Sequence, residues 1–116
     1  MIRKIGTALI LLTVLAGCYY DKEELLYPAT TDCATINARF STQIAPLIET
    51  RCAILGCHDA SSGNAGGPFT NYTQIQFKAV NIKAQVQSGA MPQGSSLTAA
   101  EKALISCWVN SGAPNN

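Results

Sequence analysis

Cys52-Ala53-Ile54-Leu55-Gly56-Cys57-His58-Asp59 is the stretch that decides how this chain is built. Two thiols flank four residues, and an imidazole follows the second thiol directly. An adjacent Cys-His pair on a short loop offers a covalent attachment point and a metal ligand on the same side of a bound group. His58 is the single histidine of 116 residues, so no second imidazole of this chain can join it. A zinc site would have to draw on Cys33, Cys52, Cys57 and His58, and that spacing fits no common zinc module.

A c-type haem suits the stretch better. Its two vinyl groups take one thiol each, and the histidine beside the second thiol is carried under the iron. The usual haem motif has two residues between its cysteines, whereas this chain has four. The longer gap must bulge, and Gly56 just before Cys57 is the residue that tolerates a bend.

Outward from the motif the pattern is helical. Phe40, Ile44, Leu47 and Ile48 share one face, which predicts a helix starting at Ser41 or Ala45. Pro46 then falls in the first turn, where a missing N–H is tolerated. Residues 72–88 carry Tyr72, Ile75 and Val80, then Ile82 and Val86, the spacing of two short helices broken near Asn81. Thr98-Ala99-Ala100-Glu101 is a capping box, with Ala103, Leu104, Cys107 and Trp108 as the apolar face and Gly112 as the stop. Ser61 to Pro68 is a polar, glycine-rich loop. Alternating apolar strands are absent, so the expected class is all-α, a small helical domain with long loops.

Upstream the composition changes. Met1-Ile2-Arg3-Lys4 precedes an apolar run from Ile5 to Ala16, the pattern of a secretory signal too short for a permanent membrane anchor. Leu15-Ala16-Gly17-Cys18 resembles the bacterial lipobox, whose cysteine is acylated and becomes the first mature residue. The expected organisation is a signal peptide at 1–17, a lipid on Cys18, a flexible tether at 18–32 and a domain at 33–116. Tyr19 stands where enteric bacteria use aspartate for inner-membrane retention, which leans towards the outer membrane, on its periplasmic or surface face. Asp21, Glu23 and Glu24 resemble the surface-export signals of Bacteroidetes lipoproteins, and a solvated linker explains them equally well. Loss of the leader removes Arg3 and Lys4, leaving six basic against seven acidic side chains, a net charge of −1. No cluster of Lys and Arg marks a nucleic-acid surface. The 84 residues from Cys33 onward are near the size at which a domain recruits a cofactor or disulfide to hold its fold.

Phe40 to Ile48, then Cys52, Cys57 and His58, then Gly89-Ala90-Met91-Pro92, then Leu97-Thr98 and Trp108 before Gly112-Ala113 are similar in order and spacing to class I cytochrome c domains. The nearest type is the monohaem lipoprotein cytochrome of Bacteroidetes-like bacteria with a four-residue spacer, and the resemblance covers residues 33–116. It implies a cytochrome c-like fold around one covalently bound haem c, attached through Cys52 and Cys57, with His58 and Met91 as axial ligands of the iron. Met91 lies 33 positions after His58 and is the one methionine outside the leader. A thioether ligand favours ferrous iron and raises the potential. The resemblance also implies that the first helix packs on the last, which would bring Cys33 and Cys107 to bridging distance. The five cysteines then divide into one for lipid, two for haem and two for a disulfide. A haem-free protein with Cys52 bonded to Cys57 gives an even count as well. Trp108 is a core aromatic that in this family packs near the haem.

The expected function is single-electron transfer outside the cytoplasm by a monomer held to a membrane through its lipid. Its partners would be other redox proteins, and His/Met-ligated iron has no open site for catalysis of its own. The rival from another class is a haem-free, disulfide-stapled surface lipoprotein acting as a binding module. No phosphate loop, nucleophile elbow or paired carboxylates occur, and Asp59, Ser61 and Ser62 beside His58 on one loop make a poor triad. Lys78, Lys83 and Lys102 fit solvated helix faces.

Overall fold

Pro46 determines how the first helix opens. In a regular α-helix its ring would crowd the Thr42 carbonyl and offer no N–H in return. The turn before it is widened instead into a π-helical turn, Phe40–Ile44, which runs straight into α1, Ala45–Arg51. The Ile44 N–H reaches the Arg39 carbonyl at 3.1 Å, and the Ala45 N–H reaches the carbonyl of Phe40. The first donors of this turn are met by Asn116: Phe40 N–H donates to its Oδ1 at 2.7 Å and Ser41 N–H to its carbonyl at 2.8 Å.

The computed structural model describes residues 32–116; the expected signal peptide at 1–17, the expected lipid site Cys18 and all but the last residue of the expected tether at 18–32 lie outside the described residues. After α1 come α2 (Tyr72–Phe77), α3 (Ala79–Ser88) and α4 (Ala99–Asn110). No strand occurs among the described residues, so the class is all-α as expected. No helix among the described residues is long and apolar enough to cross a membrane.

The break between α2 and α3 differs from expectation: it falls at Lys78, not near Asn81. Asn71 caps α2, its side chain accepting from the Gln74 N–H at 3.0 Å, and the helix closes with the Lys78 N–H on the Ile75 carbonyl. Asn81 sits in the opening turn of α3, where its low helix propensity costs little.

The aliphatic faces of α1, α3 and α4 meet in one core. Ile44, Ile48, Val86, Ile105 and Trp108 are its fully buried members. Phe40 stands edge-on to Tyr72, with 4.9 Å between ring centres, and lies 5.7 Å from Trp108. The polar tips of this cluster are satisfied by the C-terminal segment: Tyr72 donates to the Ala113 carbonyl and Trp108 Nε1 to that of Pro114, both at 2.9 Å. Cys33 and Cys107 are bonded, with Cα atoms 5.4 Å apart. The bridge joins the segment before the π turn to α4 across 74 positions, and a loop of that length is worth about 4 kcal/mol of chain entropy.

The capping box of α4 forms as predicted. Thr98 Oγ1 accepts from the Glu101 N–H at 3.2 Å, and Glu101 Oε2 accepts from the Thr98 N–H at 2.7 Å. The other carboxylate oxygen pairs with Arg51 at the end of α1, at 3.0 Å. The Thr98 N–H, with Arg51 adding to it, holds the Glu101 carboxyl below its ordinary value. That contribution to stability is complete above the ordinary carboxylate value and is lost as pH falls through the depressed one. Thr98→Ala is expected to cost about 1 kcal/mol in urea unfolding at neutral pH. Glu101→Gln should flatten the acid limb of the same curve; an unchanged limb would mean that this group carries none of the acid sensitivity.

Candidate functional site

Cys52 is the C-cap of α1, its N–H on the Ile48 carbonyl at 2.8 Å and its side chain buried. The chain then doubles back. Cys57 N–H donates to Ile54 O and His58 N–H to Cys52 O, each at 3.0 Å, so the four-residue spacer closes on itself. Gly56 supplies the bend with a φ of +81°, as its position suggested. Leu55 turns outward, 89% exposed, while Ile54 is about half exposed and lines the cavity. The loop after the motif braces it: Asn64 Nδ2 donates to the Gly56 carbonyl at 3.3 Å and to that of Cys57 at 2.5 Å, and the Ser62 hydroxyl donates to the same Cys57 carbonyl.

The His58 ring is fixed on three sides. Its Nδ1 lies 2.8 Å from the Gly67 carbonyl, which can only accept, so Nδ1 carries a hydrogen towards it and Nε2 is left clear of this bond. This is the arrangement that orients a metal-binding imidazole. Phe69 stacks on the ring, with 4.3 Å between centres and 20° between planes. Gly66 leaves no room on the third side: a Cβ there would lie 2.6 Å from His58 Cε1 and 3.2 Å from Nδ1. Gly66→Ala is therefore expected to displace the imidazole and lose about 1–3 kcal/mol of stability by overpacking. The His58 ring resonances should move with it in NMR spectra; an unmoved ring would show that the loop yields instead.

Met91 comes to the site from the end of α3. α3 ends at Gly89, whose φ of +78° turns the chain, and the Met91 N–H then bonds back to the Gln85 carbonyl at 3.2 Å. Cys52, Cys57, His58 and Met91 all line one cavity of about 740 Å³, the size of a cofactor site. Ile82, Val86 and Phe69 supply its apolar wall. Cys52 and Cys57 are both free thiols, Cys57 exposed and Cys52 buried. Burial first, and the neighbouring Cys57 second, push the Cys52 thiol up to about 11 against the pull of Arg51, so it stays protonated at neutral pH.

The site also bears on the other sequence readings, both those set aside and those expected. Zinc ligation through Cys33 fails because Cys33 is bonded to Cys107, and no three His, Cys, Asp or Glu side chains converge as ligands among the described residues. The disulfide of the haem-free scheme, Cys52 with Cys57, is not formed. Asp59, Ser61 and His58 form no triad: the Ser61 hydroxyl binds Asp59 at 2.7 Å, while His58 Nδ1 is taken by Gly67. That hydroxyl also holds the Asp59 carboxyl below its usual range. Trp108 lies in the aromatic cluster and does not line the cavity. Lys78, expected on a solvated face, lines it, whereas Lys83 is bonded to Asn110. Gly66, Gly67, Phe69 and Asn64 were not recognisable as site residues, since a glycine-rich loop carries no mark of what it will touch. Comparisons with family models, curated proteins and solved structures return no match to this chain.

Proposed function

We propose that this protein is an exported, lipid-anchored monohaem c-type cytochrome with a cytochrome c-like fold, carrying single electrons between redox protein partners. The observation that carries the reading is the convergence of Cys52, Cys57, His58 and Met91 on one cavity from positions 39 residues apart. The donor set fits haem c: two free thiols for the vinyl groups, an imidazole whose Nε2 is clear of the Gly67 bond, and a thioether on the loop after α3. When bound, the haem iron supplies the one-electron couple. The chain's own residues do the rest. The Gly67 carbonyl and Phe69 orient His58, Gly66 gives it space, and Ile82 and Val86 keep water from the apolar wall. With haem bound, His58 and Met91 would hold the iron between them, and the protein would then act as a carrier with no open site for catalysis. The Cys18 lipid and an outer-membrane location belong to the same proposal.

The test is protein made in a host with a working haem-attachment system. After denaturing electrophoresis it should keep haem-linked peroxidase stain, and its reduced-minus-oxidised spectrum should be that of a low-spin c-type haem. Met91→Ala should keep the stain, lose the low-spin spectrum and lower the potential. A colourless product of unmodified polypeptide-plus-lipid mass would overturn the haem reading in favour of a binding module.

A further inference from the structure

We propose that Lys78, Asn81 and Gln85 form a polar rail that seats the carboxylate groups of the ligand in the cavity, with Lys78 as their charge partner. The proposal rests on the haem reading, since haem is an apolar ring with two propionates on one edge. Two cations line the cavity, Arg51 and Lys78, and no carboxylate does so among the described residues. Of the other titratable groups there, His58 is held by the Gly67 carbonyl, and Cys52 and Cys57 are the attachment thiols. Arg51 is already engaged: its Nε and one terminal nitrogen lie 3.2 and 3.0 Å from a Glu101 oxygen. Lys78 has no such anion among the described residues; its ammonium rests 5.5 Å from the centre of the Phe77 ring.

Helix α3 divides its polar residues between two sides. Towards α4, Lys83 Nζ bonds Asn110 and Gln87 Nε2 bonds Ser106, each at 2.6 Å. Towards the cavity, Lys78 at the N-cap, Asn81 and Gln85 follow one another at i, i+3 and i+7. Their side chains make no hydrogen bond among the described residues. They span about 10 Å of helix. Ile82 and Val86 run beside them, buried, so this wall is apolar below and polar at its edge. Asn81 and Gln85 are exposed, which keeps the edge wet enough for ionised groups.

The experiment compares the haem-loaded protein with its Lys78→Gln, Lys78→Arg and Lys83→Gln variants, reading the midpoint potential across the pH range. Loss of a cation beside the propionates favours ferric iron, so Lys78→Gln should lower the potential. It should also raise the pH at which propionate ionisation bends the curve, by about one unit. Lys78→Arg should restore both. Lys83→Gln makes the same change in net charge on the other side of α3 and should leave the bend in place. Matching curves for Lys78→Gln and Lys83→Gln, with haem stain intact, would overturn the rail and leave the haem reading standing. Absence of covalent haem in the unsubstituted protein would overturn both.

Discussion

Trp108→Ala is expected to lower the unfolding free energy by about 3–5 kcal/mol, a large part of what a domain of this size has to lose. The side chain is fully buried, where α4 crosses the π turn and the C-terminal segment folds over it. Three kinds of contact end together: packing on Phe40 at 5.7 Å, the indole bond to the Pro114 carbonyl, and the volume that keeps Ile44 and Ile105 close-packed. Trp108→Phe separates them. It retains most of the apolar volume, gives up the 2.9 Å bond to Pro114, and should cost about 1–2 kcal/mol. Because this is the chain's single tryptophan, unfolding is followed by far-UV circular dichroism in urea. A loss under 1 kcal/mol for the alanine variant would mean that the aromatic cluster does not organise the core.

The helices were legible because their signals are local. The Thr98 capping box, the spacing from Phe40 to Ile48 and the glycine after α4 each act within a turn or two of chain. The break at Lys78 was not legible, since no glycine or proline marks it and it depends on where Asn71 starts α2. The Cys33–Cys107 bond became visible only through the resemblance, because nothing near either cysteine announces a partner 74 positions away. At the site, the four chemically distinctive residues stood out by type. Those that position them did not: Gly66 matters for what its missing Cβ would strike, Gly67 for its carbonyl, and Lys78 for the side of α3 it faces. Such roles are set by contacts between distant segments and leave no pattern in the chain itself.

The enlarged spacer makes the second large prediction, an all-or-none one. Cys52→Ser and Cys57→Ser should each leave haem attached through one sulfur, and the double variant should leave no covalent haem stain at all. A vinyl group that has not reacted extends the conjugated ring, so each single variant should show its reduced α-band at longer wavelength than the unsubstituted protein. Geometry supports participation of both sulfurs despite the four-residue gap. The Cys52 carbonyl and His58 N–H close the loop at 3.0 Å, Gly56 takes up the excess chain, and both cysteines line the cavity with His58. The two variants should differ in stability, which guards against misreading a folding defect as a loss of attachment. Cys57 is exposed and its serine variant should unfold within about 0.5 kcal/mol of the parent before haem is added. Cys52 is buried at the end of α1, where a serine hydroxyl placed among apolar neighbours should cost about 1–3 kcal/mol, and Cys52→Ala supplies the comparison without that burden. An unshifted α-band in Cys52→Ala would show that Cys57 alone carries the haem and that the longer spacer has released Cys52 from attachment.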